Sequence, residues 1–347
     1  MDITKPGRAA DEGGFTLLEL LVSLALMVVV FGGAFRAFDD ARRASETGGM
    51  LADGNQNLRM AVMLINRDAI QTGRELPNGG IPIPRGGGAA AIARPSPPGI
   101  NLTFASAWTT LPSICPGPDM GPIVNGIATD IVTVLFADST LALNEYPLTA
   151  LERDGTRMTV DARTSIGDAG TGLKPGDAIW FTNAVGDAIQ TVTSVQGQQV
   201  FFEQGHLADA FGFNQRNAES GTILQIRTGQ SFPTTSATRV MIVTYYIDDV
   251  TAPGQVRLMR REGFQPPRLV GTGIENLQFT FDIVDGTTNP TNQQDAVAPN
   301  TPSQIRKLNL FVACRSEGRL AQTRQPVRSS VATQVSLRSM SFMDRYR

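Results

Sequence analysis

The stretch GGFTLLELLVSLALMVVVFGGAF, residues 13–35, decides how this chain reads. Between Phe15 and Phe35 the only charged residue is Glu19. At a rise of about 1.5 Å per residue the run makes a helix of roughly 31 Å, the thickness of bilayer hydrocarbon. Leu, Ala, Met and Val dominate and no proline interrupts. The segment is therefore predicted to span a membrane. A carboxylate inside hydrocarbon is costly and is normally kept for a partner or a function. On cost alone, Glu19 either snorkels to the interface from near the helix end or waits for such a partner.

A polar leader, residues 1–14, precedes the run. It carries Lys5 and Arg8, ends in Gly14, and is followed by Phe15-Thr16-Leu17-Leu18-Glu19. This arrangement resembles the class III signal of type IV prepilins and pseudopilins. The resemblance implies cleavage between Gly14 and Phe15 by a prepilin peptidase on the cytoplasmic side, and N-methylation of Phe15. The apolar segment then stays on the mature protein. A secretory signal would instead place its cleavage site after the apolar run. The resemblance also makes Glu19 a subunit-assembly carboxylate. In the dry core of a filament, pairing Glu19 with the Phe15 amine of a neighbouring subunit removes two burial penalties and fixes axial register.

The composition bounds the rest. At 347 residues the chain has room for one large or two small domains. Lys plus Arg number 30 against 32 Asp plus Glu, without a basic block, which argues against a nucleic-acid partner. With 35 Gly, 21 Pro and 18% charged residues, the chain is rich in turns and suited to sheets. Cys115 and Cys314 both follow the span. With the leader cytoplasmic they lie outside the cytoplasm, where disulfides persist. A Cys115–Cys314 disulfide is the favoured expectation, and two buried free thiols are the alternative. Lys5 and Arg8 fit a cytoplasmic N-terminus; Arg36, Arg42 and Arg43 partly oppose it, diluted by Asp39 and Asp40.

Residues 36–73 are predicted to continue the helix. Leu51, Leu58, Val62, Ile65 and Ala69 fall on one face, which would lie against a globular head. Gly32-Gly33 and Gly48-Gly49 are expected weak points. Gly73 and Pro77-Asn78-Gly79-Gly80 end the helix. Residues 77–126 form a Gly- and Pro-rich excursion held near Cys115. The glycines Gly86, Gly87 and Gly88 lack the lysine and strand-to-helix context of a phosphate-binding loop.

Strands are predicted at 130–137, 157–160, 178–181, 189–195, 199–203 and 222–227, with a hairpin turn at Gln196-Gly197-Gln198. Residues 157–228 read as an additional β-module. Runs at 240–247, 256–261, 274–284, 307–314 and 327–337 then suggest an antiparallel meander. The expected class is α+β: a long N-terminal helix packed on an antiparallel sheet, with a β-rich insertion in a head spanning residues 74–347. Thr244-Tyr245-Tyr246-Ile247, Gly273-Ile274-Glu275-Asn276-Leu277 and Lys307-Leu308-Asn309-Leu310-Phe311-Val312 resemble the C-terminal half of PilW-type minor pilins.

No catalytic constellation is visible. His206 is the only histidine, in a Gly205-His206-Leu207 loop, and no spacing of carboxylates marks an acid–base pair. Asp282, Asp285 and Asp295 surround a polar loop whose spacing misses the EF-hand pattern. No metal or cofactor is expected, and the chain is not expected to be an enzyme.

The resemblance implies a single-pass inner-membrane protein with its head outside the cytoplasm, later moved to a pilus at the cell surface. Its implied partners are major and minor pilins, the prepilin peptidase/methyltransferase, the inner-membrane assembly platform and, optionally, a tip adhesin. A head of this size is large for a subunit repeated along a thin fibre and easier to place at a tip. The alternatives are a minor pseudopilin of type II secretion, or a membrane-anchored binding protein that never enters a filament.

Overall fold

A computed structural model of the chain describes residues 16–320 and 323–342. The fold is α+β. One helix, α1 (Leu17–Gln71), leads into a head of antiparallel strands. The helix is unbroken through both glycine pairs and runs about 80 Å. A glycine in a helix costs only about 1 kcal/mol relative to alanine, too little to melt turns flanked by strong helix formers. Its far end stops before Gly73, whose φ of +77° leaves the helical range.

The head contains a seven-stranded and a three-stranded sheet, with smaller pieces around them. In the large sheet, Ser236–Asp248 is central and pairs with Ala178–Thr182, Val132–Ala137 and Arg257–Glu262. Asp187–Thr191, Arg268–Thr272 and Ile114–Cys115 extend it. The small sheet is Ile274–Ile283, Ile305–Arg319 and Pro326–Ser336.

The expected meander is thus divided between two sheets. The division falls at Gly273, with φ +71°, where a Cβ would lie 2.3 Å from the Arg315 carbonyl oxygen. Gly273 N–H donates to Val256 O and its carbonyl accepts from Arg315 N, both at 2.8 Å. Only glycine permits that approach together with that φ.

Alternation along the strands assigns two cores to opposite faces of the large sheet. Val132, Val134 and Phe136 point toward the core under α1, while Leu135 and Ala137 point to the opposite core. This strand is buried on both faces, which explains why it reads as a continuous apolar run. A third core surrounds Met158, Phe181, Val200 and Phe202.

The region read as a β-module is interwoven with the large sheet. Arg157–Thr159, Ser194–Gln196 and Gln199–Phe201 join Ala150–Leu151 in a four-stranded sheet, whereas Ala178–Thr182 crosses to pair with Ser236–Asp248. Residues 222–227, expected as a strand, instead contain the 3-10 helix Ile223–Ile226. Thr222 and Gln225 form a capping box, and Ile223 and Ile226 are buried one turn apart.

The Gly- and Pro-rich excursion is fastened by the buried Arg94. Its guanidinium donates to the carbonyls of Pro116 and Cys115, both at 2.7 Å, to Ile131 O at 3.3 Å and to Thr133 Oγ1 at 3.2 Å. These acceptors supply the hydrogen bonds that a buried cation requires.

Candidate assembly interface

The described residues begin at the N-cap of α1. Glu19 N–H donates to Thr16 Oγ1 at 3.2 Å, and Glu19 Oε2 accepts from Thr16 N at 3.0 Å and Thr16 Oγ1 at 3.1 Å. Together they form a capping box, which satisfies donors left open at a helix start. The carboxylate therefore has a partner within its own chain. Gly14 and Phe15, the expected cleavage and methylation positions, lie outside the described residues.

Beyond Glu19 the helix is a bare apolar sleeve. Leu17, Leu18, Leu20, Leu21, Leu24, Met27, Val28, Phe31 and Phe35 are all more than half exposed. Among the described residues this is the one helix long and apolar enough to cross a membrane, and none of its apolar window is buried in the head. A polar collar follows, where Asp39 pairs with Arg43 and Glu46 accepts from Arg42 Nε at 3.0 Å. Exposed i,i+4 pairs of this kind add only a few tenths of a kcal/mol each. Their position marks where the apolar surface ends.

The far part of α1 docks on the head through Gly54, Leu58, Ala61, Ile65, Asp68 and Ala69. Val62 packs at its margin. Leu51 was expected on this face but is 36% exposed. It lies near the start of the contact, where Met50 reaches Gly318. Leu58 and Ile65 are each almost wholly buried, contributing about 1.5–3 kcal/mol apiece.

A charged residue, Asp68, lies at the centre of the docked face. It is 1% exposed. Its Oδ2 accepts from Arg260 Nε at 2.6 Å and Tyr245 Oη at 2.8 Å, and its Oδ1 accepts from Arg67 Nε at 3.1 Å. Burial alone would lower the Arg260 pKa, but the hydrogen bonds to Asp68 and Glu262 outweigh it and raise it. Burial and the neighbouring carboxylate together push the Tyr245 phenol up. By residue type alone Asp68 reads as a surface aspartate. Its place in the i, i+3, i+4 stripe with Ile65 and Ala69 was the signal that it points inward.

The expected Cys115–Cys314 disulfide is corrected: both residues are buried free thiols. Ile114 joins the core under α1, so the next residue, Cys115, faces the opposite core across the sheet. Cys314 lies in the α1-side core, with Sγ 3.4 Å from Gly54 O. Burial pushes the Cys115 thiol up to about 12 and the Cys314 thiol in the same direction.

The polar loop near residue 285 spends its carboxylates locally. Asp285 accepts from the amides of Thr287, Thr288 and Asn289, while Asp282 accepts from Asn292 N and Asn309 Nδ2. His206 Nδ1 accepts from Ala208 N at 3.1 Å in an exposed loop. Among the described residues, no group of three or more His, Cys, Asp or Glu is placed to hold a metal ion.

Residues 10–35 match the family model for the prokaryotic N-terminal methylation motif. The matched range contains Gly14, Phe15, Thr16 and Glu19 and ends with the apolar sleeve at Phe35. The match supports a type IV pilin-like family and suggests a structural protein rather than an enzyme. It implies processing by a prepilin peptidase and assembly with other pilins. The motif and the apolar helix together are consistent with a single-pass protein anchored in the inner membrane. Neither the curated proteins nor the solved structures contain a match to the chain.

Proposed function

We propose that this chain is a minor pilin of a type IV pilus, a low-copy subunit that helps to start or cap the fibre at its tip. The observation that carries the reading is the bare, unbroken sleeve of α1, headed by Glu19 inside a matched methylation motif. An apolar surface of that extent needs either lipid or the packed helices of a filament to cover it. The subunit is held in the inner membrane with its leader in the cytoplasm and its head outside. Prepilin peptidase cuts between Gly14 and Phe15, and Phe15 is N-methylated. The helix then moves from bilayer to filament, where Glu19 exchanges its bond to Thr16 for the Phe15 amine of a neighbour.

The large head favours a tip position over a repeated one. In this reading the partners are major and minor pilins, the inner-membrane assembly platform and a tip adhesin. Intact mass and N-terminal sequencing of protein from sheared pili provide the test. The expected result is a low-abundance species beginning at methylated Phe15. A chain retaining its leader overturns prepilin processing. A correctly processed chain found in type II secretion fractions and absent from pili moves the assignment to a minor pseudopilin.

A further inference from the structure

We propose that the outer edge of the strand Pro326–Ser336 takes up an extended segment of a different pilus protein, added antiparallel as a fourth strand of the small sheet. This rests on the assembly reading above.

Pro326–Ser336 ends the three-stranded sheet and pairs with Ile305–Arg319 on one side. The bond from Leu337 N to Arg306 O sets the phase of that ladder. Every second pair of an antiparallel ladder exchanges backbone bonds, so Ser329, Val331, Thr333 and Val335 bond inward. Ser330, Ala332 and Gln334 turn their N–H and C=O groups outward. All three are exposed, and among the described residues nothing bonds their backbone from that side.

The two edges of this sheet differ. Along Ile274–Ile283, Asp130 N donates to Leu277 O at 2.9 Å, and Phe279 N donates to Asp130 Oδ2 at 2.7 Å. Phe281 and Gln293 exchange both backbone bonds. That edge is covered by the chain's own loops. Natural sheets blunt open edges with lysine, proline or a bulge. Residues 329–336, Ser-Ser-Val-Ala-Thr-Gln-Val-Ser, hold no charge and no proline, and their register is unshifted. Such a row of unpaired backbone groups is a template for a strand, whose main-chain bonds supply affinity.

The surroundings select the side chains of that strand. Ser329 Oγ meets Asn55 Oδ1 at 3.0 Å, so α1 flanks the inner face of the edge. Arg59, Val62 and Asn66 continue this flank at helical spacing, with the exposed Met63 and Ile70 at its outer margin. Val331 pairs with the core residue Val312 and points to the same side, yet is itself exposed. An added strand presents every second residue to this apolar strip, and Val, Ile or Leu suit those positions. Its other residues face water.

The bilayer selects direction and source. The host strand climbs away from the span, from Ser329 beside Asn55 toward Met340 beside Gly73. A second copy in the same membrane holds α1 in the same sense, so its edge strand climbs too and meets this one only in parallel. Its descending strand, Ile305–Arg319, is already paired on both sides. Antiparallel pairing is the more stable form and calls for a descending strand from another protein.

The test places the photo-crosslinker benzoylphenylalanine at Ser330 or Gln334 of the full chain in piliated cells. Adducts from membrane and sheared-pilus fractions are mapped by peptide sequencing. They are expected on one extended segment of one other pilus protein, apolar at alternate positions. The Ser330 adduct is expected about four residues after the Gln334 adduct, the order that antiparallel pairing dictates. Ala332→Pro removes an outward N–H and leaves the native ladder intact. It is expected to melt within about 5 °C of the parent and to lower the Gln334 adduct about tenfold. Ser330→Lys places a charge on the open edge without altering the backbone and is expected to lower the same adduct, a result that stands if the proline variant unfolds. No adduct, adducts on a helix, on a second copy or in the reverse order, or a yield unchanged by both variants overturns the added strand. Absence of the chain from sheared pili overturns the assembly reading instead, and blotting of that fraction reads it out separately.

Discussion

Asp68 of the N-terminal helix and Arg260 of the central sheet, far apart in sequence, meet through a 2.6 Å hydrogen bond with both side chains buried. Tyr245 donates to the same oxygen. Arg260 also pairs with Glu262, so removing Asp68 leaves the cation only half compensated. Asp68→Ala is expected to destabilise the head by about 3–5 kcal/mol. Urea denaturation followed by tryptophan fluorescence measures it. A loss below about 1 kcal/mol would mean that the contact behaves as an exposed pair.

In the proposed function Glu19 has two roles, helix-cap partner and assembly carboxylate, that one substitution separates. Glutamine retains capping-box geometry but carries no charge. Glu19→Gln is therefore expected to insert in the membrane normally and to enter pili poorly, because a neutral amide cannot pair with a cationic N-terminus. Counting the subunit in membrane and sheared-pilus fractions checks this. Normal recovery in pili would sink the assembly role of the charge.

Gly54 and Cys314 are coupled by close approach. A Cβ at Gly54 would lie 3.2 Å from Cys314 Sγ, tighter than ordinary contact. Replacing glycine by alanine in a helix is otherwise favourable by about 1 kcal/mol. Gly54→Ala is expected to give more of that gain in a Cys314→Ala background than in the parent chain. A double-mutant cycle on thermal stability reads the difference, and additivity would remove the steric account.

The thiols provide a chemical test of the two-core arrangement. With Cys115 pushed up to about 12 by burial and Cys314 buried on the other side of the sheet, neither is expected to react with a thiol-specific disulfide reagent in the native chain. Both are expected to react after denaturation without reductant. No thiol detected on unfolding would show that oxidation links them.

Acid should weaken the ion pair of Asp138 and Arg239. Burial favours the neutral Asp138 carboxyl, but Thr140 and Arg239 outweigh it and hold its pKa below the ordinary value. A carboxylate depressed in the folded state adds stability above its unfolded pKa, and that increment disappears as pH falls through the folded pKa. Below about pH 4, Asp138→Asn is expected to flatten the decline of stability with acid. Identical slopes in parent and variant would contradict the assignment.

The long helix and the major strands were legible because they depend on local patterns. The apolar run, the Ile65–Ala69 stripe and the alternating residues 274–283 carry their own periodicity. Other features depend on partners remote in sequence. Whether the meander divides at Gly273 depends on a carbonyl at Arg315, and what Asp68 meets once its helical position turns it inward depends on Arg260 and Tyr245. Residues 222–227 misled because a short apolar run fits either a strand or a turn of 3-10 helix until a capping residue settles it. The thiols misled because their pairing was inferred from compartment, whereas alternation along one strand placed a sheet between them. At the N-terminal segment the residue identities were readable, and the spacing of Thr16 and Glu19 itself carried a capping-box signal, a bond the structure shows formed.

The docked half of α1 lies beside two strands that run broadly along it, one descending from Ile305 and one climbing to Ser336. A tensile load entering through α1 therefore acts on these contacts in shear. Packing from Gly54 to Ala69 and the Asp68 cluster must slip together, whereas a load across the strands would peel them one at a time. A head joined in this way transmits force between its surface and the helix with little give, and its rupture under load is a single cooperative event.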